Sequence, residues 1–89
     1  MALYSISYDL NDPGQKYENI YSVIRNFGGY NHIMDSTWLV SSSLSASQIA
    51  DKFTVYLDNN DKMFISKVNA NEYQGWLNED TWKWIRNHL

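Results

Sequence analysis

Residues 3–10 read LYSISYDL, and the fold prediction starts from their pattern. Large apolar side chains alternate here with serines, as Tyr4, Ile6, Tyr8 and Leu10 set against Ser5 and Ser7. An alternation with a period of two is typical of a β-strand that buries one face. The residues that follow favour a turn, namely Asn11, Asp12, Pro13 and Gly14. We therefore predict a first strand over residues 3–10 that ends in a turn.

A helix and a hairpin are predicted next. Apolar residues recur at spacings of three and four over residues 15–27, which indicates one buried face of a helix. Gly28 and Gly29 are suited to stop it. Residues 30–34 and 36–41 are rich in residues that favour strands, and so few residues separate them that we expect an antiparallel hairpin.

The second half of the chain repeats the order of helix and strand. Ser45 and Gln48 have the spacing of a capping box, which predicts a second helix from residue 46 to about residue 58. Residues 62–68 predict a fourth strand. Asn78 is a good N-cap for a final helix.

The predicted order is strand, helix, strand, strand, helix, strand and helix. This is the βαββαβ arrangement of the ferredoxin-like α+β fold with an added C-terminal helix. The length of 89 residues fits a single domain over residues 1–89, with a core over 1–68 and an extension over 69–89.

Composition narrows the classes of partner. The net charge is −3 and the seven basic residues are scattered, which argues against a protein that grips long nucleic acid by charge. The chain has no cysteine, no signal-peptide pattern and no long apolar run. We therefore expect a cytoplasmic protein that does not enter a membrane.

Three stretches carry a resemblance to a known family. SYDLNDPGQKY (7–17), DSTWLV (35–40) and SLSASQIADK (43–52) resemble short bacterial and phage proteins called SinR-like. More distantly, the YDL that ends the first strand is similar to the CRISPR spacer-acquisition nuclease and the VapD ribonuclease.

The more distant resemblance implies a ferredoxin-like homodimer or higher homo-oligomer. It also implies that Asp9, the acid ending the first strand, is a ligand for Mg²⁺ or Mn²⁺ supplied once by each subunit. In those nucleases a basic stretch follows the acid, whereas Asn11, Asp12 and Pro13 follow it here. The alternative is that Asp9 anchors the loop by accepting backbone N–H bonds.

The candidate ligand-binding residues are polar or aromatic and lie in or near predicted strands, except for one between the fourth strand and the final helix. They are Asp9, Tyr8, Asn11, His32, Ser36, Trp38 and Trp76. Tyrosine and tryptophan rings can stack on nucleobases, and His32 and Ser36 can line a polar recess at one end of the hairpin. No catalytic residue is assigned, and the only cofactor considered is the divalent metal.

Three functions therefore stay open. The first is a homodimeric module that binds a nucleotide or short RNA without catalysis, which in a phage would sequester a nucleotide messenger of host defence. The second is a metal-dependent nuclease that uses Asp9 from each subunit. The third is a structural or protein-interaction module.

Overall fold

The computed structural model describes residues 1–11 and 13–89, so Asp12 of the predicted turn lies outside the described residues. The strands found in the described residues are β1 (Ala2–Asp9), β2 (Gly29–Met34), β3 (Thr37–Ser42) and β4 (Lys62–Val68). The α-helices found there are α1 (Pro13–Ile24), α2 (Ala46–Asp51) and α3 (Glu79–His88), and a 3₁₀ turn spans Thr54–Tyr56.

The four described strands form one antiparallel sheet. Their order across the sheet is β2-β3-β1-β4, so β1 and β3 are central and β2 and β4 form the edges. Along the chain, α1 connects β1 to β2, and α2 with the 3₁₀ turn connects β3 to β4. The protein is thus α+β, and this arrangement is compatible with the ferredoxin-like fold predicted from the sequence.

The main core lies between α1, α2 and one face of the sheet. Alternate residues of β1 and β3 point into it, as the period of two requires. The buried members include Tyr4, Ile6, Tyr8, Trp38, Val40, Ile20, Ile24, Ile49 and Phe53. This core confirms the inward face that the alternation in residues 3–10 predicted.

The C-terminal segment covers part of the opposite face of the sheet. Leu3 of β1, Leu39 of β3 and Ile85 of α3 form a second buried cluster there. Further along the same face Phe64 of β4 is 71% exposed. The extension over 69–89 therefore occupies a surface that residues 1–68 alone would leave open.

The predicted helix caps are present. The Ser45 hydroxyl accepts a hydrogen bond from the Gln48 N–H at 3.1 Å, and the Gln48 side chain accepts one from the Ser45 N–H at 2.9 Å. The Asn78 side chain accepts from the Thr81 N–H at 2.8 Å. Both helices begin where the capping pattern placed them, because the cap satisfies N–H groups that have no partner within the helix.

Some helix boundaries differ from the prediction. The helix α1 begins at Pro13, since proline lacks the N–H that the first turn leaves unpaired, and it ends at Ile24, before Gly28. The helix α2 ends at Asp51 rather than near residue 58, because the backbone then changes to i→i+3 bonds, as in Phe53 N–H to the Ala50 carbonyl. Within the described residues, no helix is long and apolar enough to cross a membrane.

Candidate functional site

Four of the predicted site residues lie together where β1 ends beside the β2–β3 hairpin. The Trp38 Nε1 donates a hydrogen bond to the Tyr8 hydroxyl at 3.0 Å. The Tyr8 N–H donates to the Ser36 carbonyl at 3.1 Å, and His32 is the register partner of Trp38 across β2 and β3. Strand pairing therefore joins residues that are up to 30 positions apart in the sequence.

The centre of this group is a stack of two rings. The His32 imidazole lies parallel to the Trp38 indole, with 4.0 Å between the ring centroids and 8° between the planes. His32 is exposed, whereas Trp38 is only 6% exposed. His32 therefore covers the indole and turns its own outer surface to solvent.

A backbone hydrogen bond holds the imidazole in place. The His32 Nε2 lies 3.1 Å from the carbonyl oxygen of Asp35. A carbonyl can only accept, so Nε2 carries the proton in this contact and Nδ1 of the neutral ring is an acceptor. The exposed ring thus offers both a flat surface and one hydrogen-bonding nitrogen.

Two tyrosines and an arginine surround the stack. The Tyr21 ring lies 5.4 Å from the Trp38 ring and 5.7 Å from the His32 ring, centroid to centroid. The Tyr30 ring, 43% exposed, lies 6.1 Å from that of Trp38. The Arg25 guanidinium carbon lies 5.7 Å from the Tyr21 ring centre. We call His32, Trp38, Tyr21 and Tyr30 the aromatic platform.

Tyr21 and Arg25 were not among the predicted site residues. Tyr21 falls within the helix predicted over residues 15–27, and its side chain is half-buried. Tyr17, Tyr21 and Arg25 follow one another at a spacing of four, which places them on one side of a helix or its continuation. That spacing was a usable signal, but only the structure shows that β2 lies beside it.

Tyr8 and Trp38 were predicted to contact a ligand, and their burial assigns them a different position. Both are 6% exposed and belong to the main core. Burial raises the pKa of the Tyr8 phenol well above its ordinary value, so the hydroxyl stays neutral. Trp38 supports His32 from beneath, and His32 and Tyr30 are the platform residues that face solvent.

Asp9 ends β1 with an exposed side chain and is the register partner of Lys62 on β4. Alternation along the strand turns it away from the face that carries Tyr8. The predicted loop anchor would accept N–H groups of residues 11–14, which include Asp12 outside the described residues, so this role of Asp9 stays a prediction.

Asp61 anchors this loop at Asn11. Its carboxylate accepts from the Asn11 N–H at 2.9 Å, the Asp58 N–H at 3.0 Å and the Lys16 ammonium at 2.7 Å. Its side chain has no exposed surface. The hydrogen bond from Lys16, followed by those from the two N–H groups, lowers the pKa of Asp61 to about 2. Asn11, a predicted ligand residue, thus contributes its backbone N–H to the structure.

The metal site implied by the resemblance takes its ligands from two chains. In the described part of the chain, no group of three or more histidine, cysteine, aspartate or glutamate side chains is placed to hold a metal ion. Asp9 offers one carboxylate, and its register partner on the neighbouring strand is Lys62. The predicted site takes one carboxylate from each of two subunits, so the metal stays a prediction.

Trp76 is not part of the platform. It lies in the connector between β4 and α3 and is 98% exposed, while Leu77 beside it packs on the face of the sheet opposite the platform. Of the predicted site residues, the structure brings together Tyr8, His32, Ser36 and Trp38. Asp9, Asn11 and Trp76 lie outside this group. The platform can hold a flat ring by stacking, with a cation close by.

No protein-family model matches the chain.

Proposed function

We propose that the protein is a cytoplasmic ferredoxin-like homodimer that binds a nucleotide or short RNA on the aromatic platform without catalysing a reaction. The observation that carries the proposal is the His32 ring, which stacks on Trp38 at 4.0 Å and exposes its other surface. A nucleobase placed on that surface extends an existing stack.

The energetics favour such a ligand. Stacking a base on an aromatic side chain contributes about 1–3 kcal/mol. The Trp38 ring and the Asp35 carbonyl already fix His32, so little side-chain freedom is lost on binding. Arg25 beside Tyr21 supplies one positive charge for a phosphate. The net charge of −3 weakens any binding driven by the backbone of a long nucleic acid.

The test is titration of the protein with a short single-stranded RNA, followed by fluorescence anisotropy. His32→Ala should weaken binding at least about fivefold, which corresponds to the loss of one stacking contact. The matched control is His88→Ala, because His88 stacks on Trp84 at the same centroid distance of 4.0 Å but belongs to α3. Equal affinities for wild type and His32→Ala would refute the proposal.

The homodimer is supported by the position of β2 and β4 at the edges of the sheet and by exposed apolar side chains on them. Met34 of β2 is 56% exposed and Phe64 of β4 is 71% exposed. Edge strands with such residues pair readily with a second chain. Sedimentation equilibrium should give twice the chain mass of 10.5 kDa at micromolar concentration.

A second candidate is a nuclease that uses one divalent metal held by Asp9 from each of two subunits. The exposed carboxylate at the end of β1 favours it. Cleavage of RNA in Mg²⁺ or Mn²⁺ that is lost in Asp9→Asn would support this function. Intact RNA after incubation with the wild-type protein in both metals would exclude it.

A third candidate is a protein-interaction module, for which the specific observation is Trp76 with 98% of its surface exposed. Tryptophan is enriched among the residues that dominate binding interfaces. A stoichiometric partner that is recovered with wild type and lost with Trp76→Ala would favour this function over the first.

A further inference from the structure

A groove lies between α3 and the connector that joins it to β4, on the side of the sheet away from the aromatic platform. Its volume is about 490 Å³, and the residues that line it are Asn71, Tyr73, Gln74, Trp82 and Arg86. We call it the connector groove. None of these residues belongs to the platform, and Asp9 is also elsewhere.

Two aromatic rings form one wall of the connector groove. The centroids of Tyr73 and Trp82 are 6.1 Å apart and their planes differ by 29°. Both side chains are half-buried and pack against the second buried cluster. The core therefore fixes them from behind, and part of each ring is left for a ligand.

The polar groups of the groove are mainly hydrogen-bond donors. The Arg86 Nη2 donates to Glu79 Oε1 at 3.2 Å, and these side chains are 56% and 70% exposed. An ion pair as exposed as this is weak and exchanges readily. The Gln74 Oε1 already accepts from the Gly75 N–H at 2.9 Å, so the free part of that amide is its NH₂ group.

The connector backbone is itself ordered around this groove. Asn71 has a φ of 66°, in the left-handed region that asparagine tolerates better than most residues. The Glu72 N–H donates to the Asn69 carbonyl at 3.1 Å and closes the turn. The turn places Asn71, Tyr73 and Gln74 on the same recess as Trp82 and Arg86.

From these groups we infer that the connector groove binds an anionic ligand that carries a flat ring, the chemistry of a nucleoside monophosphate. The ring lies against Tyr73 and Trp82, and the phosphate takes the place of Glu79 on the Arg86 guanidinium. Amide NH₂ groups complete the contacts to acceptor atoms of the ligand. This site is separate from the platform and does not depend on it.

The experiment uses the indole N–H signals of the four tryptophans in a ¹H–¹⁵N NMR spectrum of the full chain. Trp82→Phe assigns the Trp82 signal. Uridine monophosphate should move this signal with saturation, whereas uridine alone and inorganic phosphate alone should each bind at least about tenfold more weakly. Equal binding of uridine or of phosphate would overturn the inference.

Two variants test the role of the charge. Arg86→Gln should weaken uridine monophosphate at least about tenfold, because a hydrogen bond to a charged group is lost. Glu79→Gln is the matched change, since it removes the same ion pair but frees Arg86, and it should bind more tightly than wild type. Weaker binding in Glu79→Gln, or unchanged binding in Arg86→Gln, would contradict the assignment.

His32→Ala separates this inference from the proposed function. It should leave the response of the Trp82 signal unchanged, because His32 lies on the other side of the sheet. A lost response in His32→Ala would show that the ligand occupies the platform and would overturn the groove as a site. A retained response, together with loss of RNA binding, would support two independent sites.

Discussion

The indole N–H of Trp38 on β3 donates to the hydroxyl of Tyr8 on β1; both side chains are buried, and the exposed ring of His32 stacks on Trp38. The bond pairs the Trp38 indole N–H with the Tyr8 hydroxyl oxygen, so that neither polar group is buried without a partner. The raised pKa of Tyr8 keeps the phenol neutral, so the hydroxyl oxygen remains a steady acceptor. This hydrogen bond links the rigidity of the core to the orientation of the platform.

Removing the acceptor should cost stability. Tyr8→Phe leaves the Trp38 N–H buried without a partner, and we expect the free energy of unfolding to fall by about 1–3 kcal/mol in urea denaturation. Tyr17→Phe is the control, since its ring lies 6.0 Å from that of Tyr8 and no described residue forms a hydrogen bond with its hydroxyl. It should cost less than about 0.5 kcal/mol. Equal losses in the two variants would show that the hydrogen bond contributes nothing.

The Asp61 anchor should make stability depend on acid. Its pKa of about 2 lies below the ordinary 3.8, so the carboxylate stabilises the folded state fully above pH 4. That contribution is lost as the pH falls from about 4 to about 2. Asp61→Asn should therefore have a lower Tm than wild type at pH 7, and the difference should shrink over that acid range.

Asp58→Asn is the control for this acid dependence. Asp58 also binds Lys16, at 2.8 Å, but its side chain is 56% exposed and accepts fewer hydrogen bonds than Asp61. The Tm of Asp58→Asn should fall less than that of Asp61→Asn at pH 7. A Tm difference between wild type and Asp61→Asn that stays constant from pH 7 to pH 2 would contradict the anchor.

Gly29 allows α3 to approach the sheet closely. A Cβ at this position would lie 3.1 Å from His88 Nε2 and 3.3 Å from the Ser41 Cβ, which is tighter than ordinary contact. Gly29→Ala should therefore destabilise the protein by about 1–3 kcal/mol through overpacking. In Gly28→Ala the nearest atom is 3.7 Å away, so its unfolding curve should nearly match that of wild type. Native-like stability of Gly29→Ala would show that His88 moves aside freely.

Local signals in the sequence predicted most of the secondary structure. The alternation around Ile6 and the caps at Ser45 and Asn78 depend on neighbours within a few residues, and the structure confirms them. The end of α2, predicted near residue 58, was harder, because Ile49 and Phe53 are buried whereas Ala50 and Tyr56 are exposed. Tertiary packing determines where α2 ends, and helical periodicity alone does not predict that position.

The candidate site was predictable only in its parts. His32 and Trp38 were both named from the sequence, but their stacking follows from the β2–β3 register, which contains an irregularity between His32 and Met34. The anchor at Asp61 joins residues 50 positions apart, and no local pattern in the sequence singles out Asp61. Contacts between distant segments are fixed by packing, which periodicity does not encode.

The salt dependence of RNA binding separates stacking from charge attraction. Each phosphate neutralised on a single strand contributes a slope of about −0.7 to the logarithm of the affinity against the logarithm of the salt concentration. Arg25 is the cation found over a platform ring, so we expect a slope of about −0.7 for wild type and close to zero for Arg25→Gln. Lys52→Gln, an exposed lysine at the end of α2, should keep the wild-type slope. A wild-type slope steeper than about −3 would mean that several phosphates are bound, and the platform would then not be the main contact.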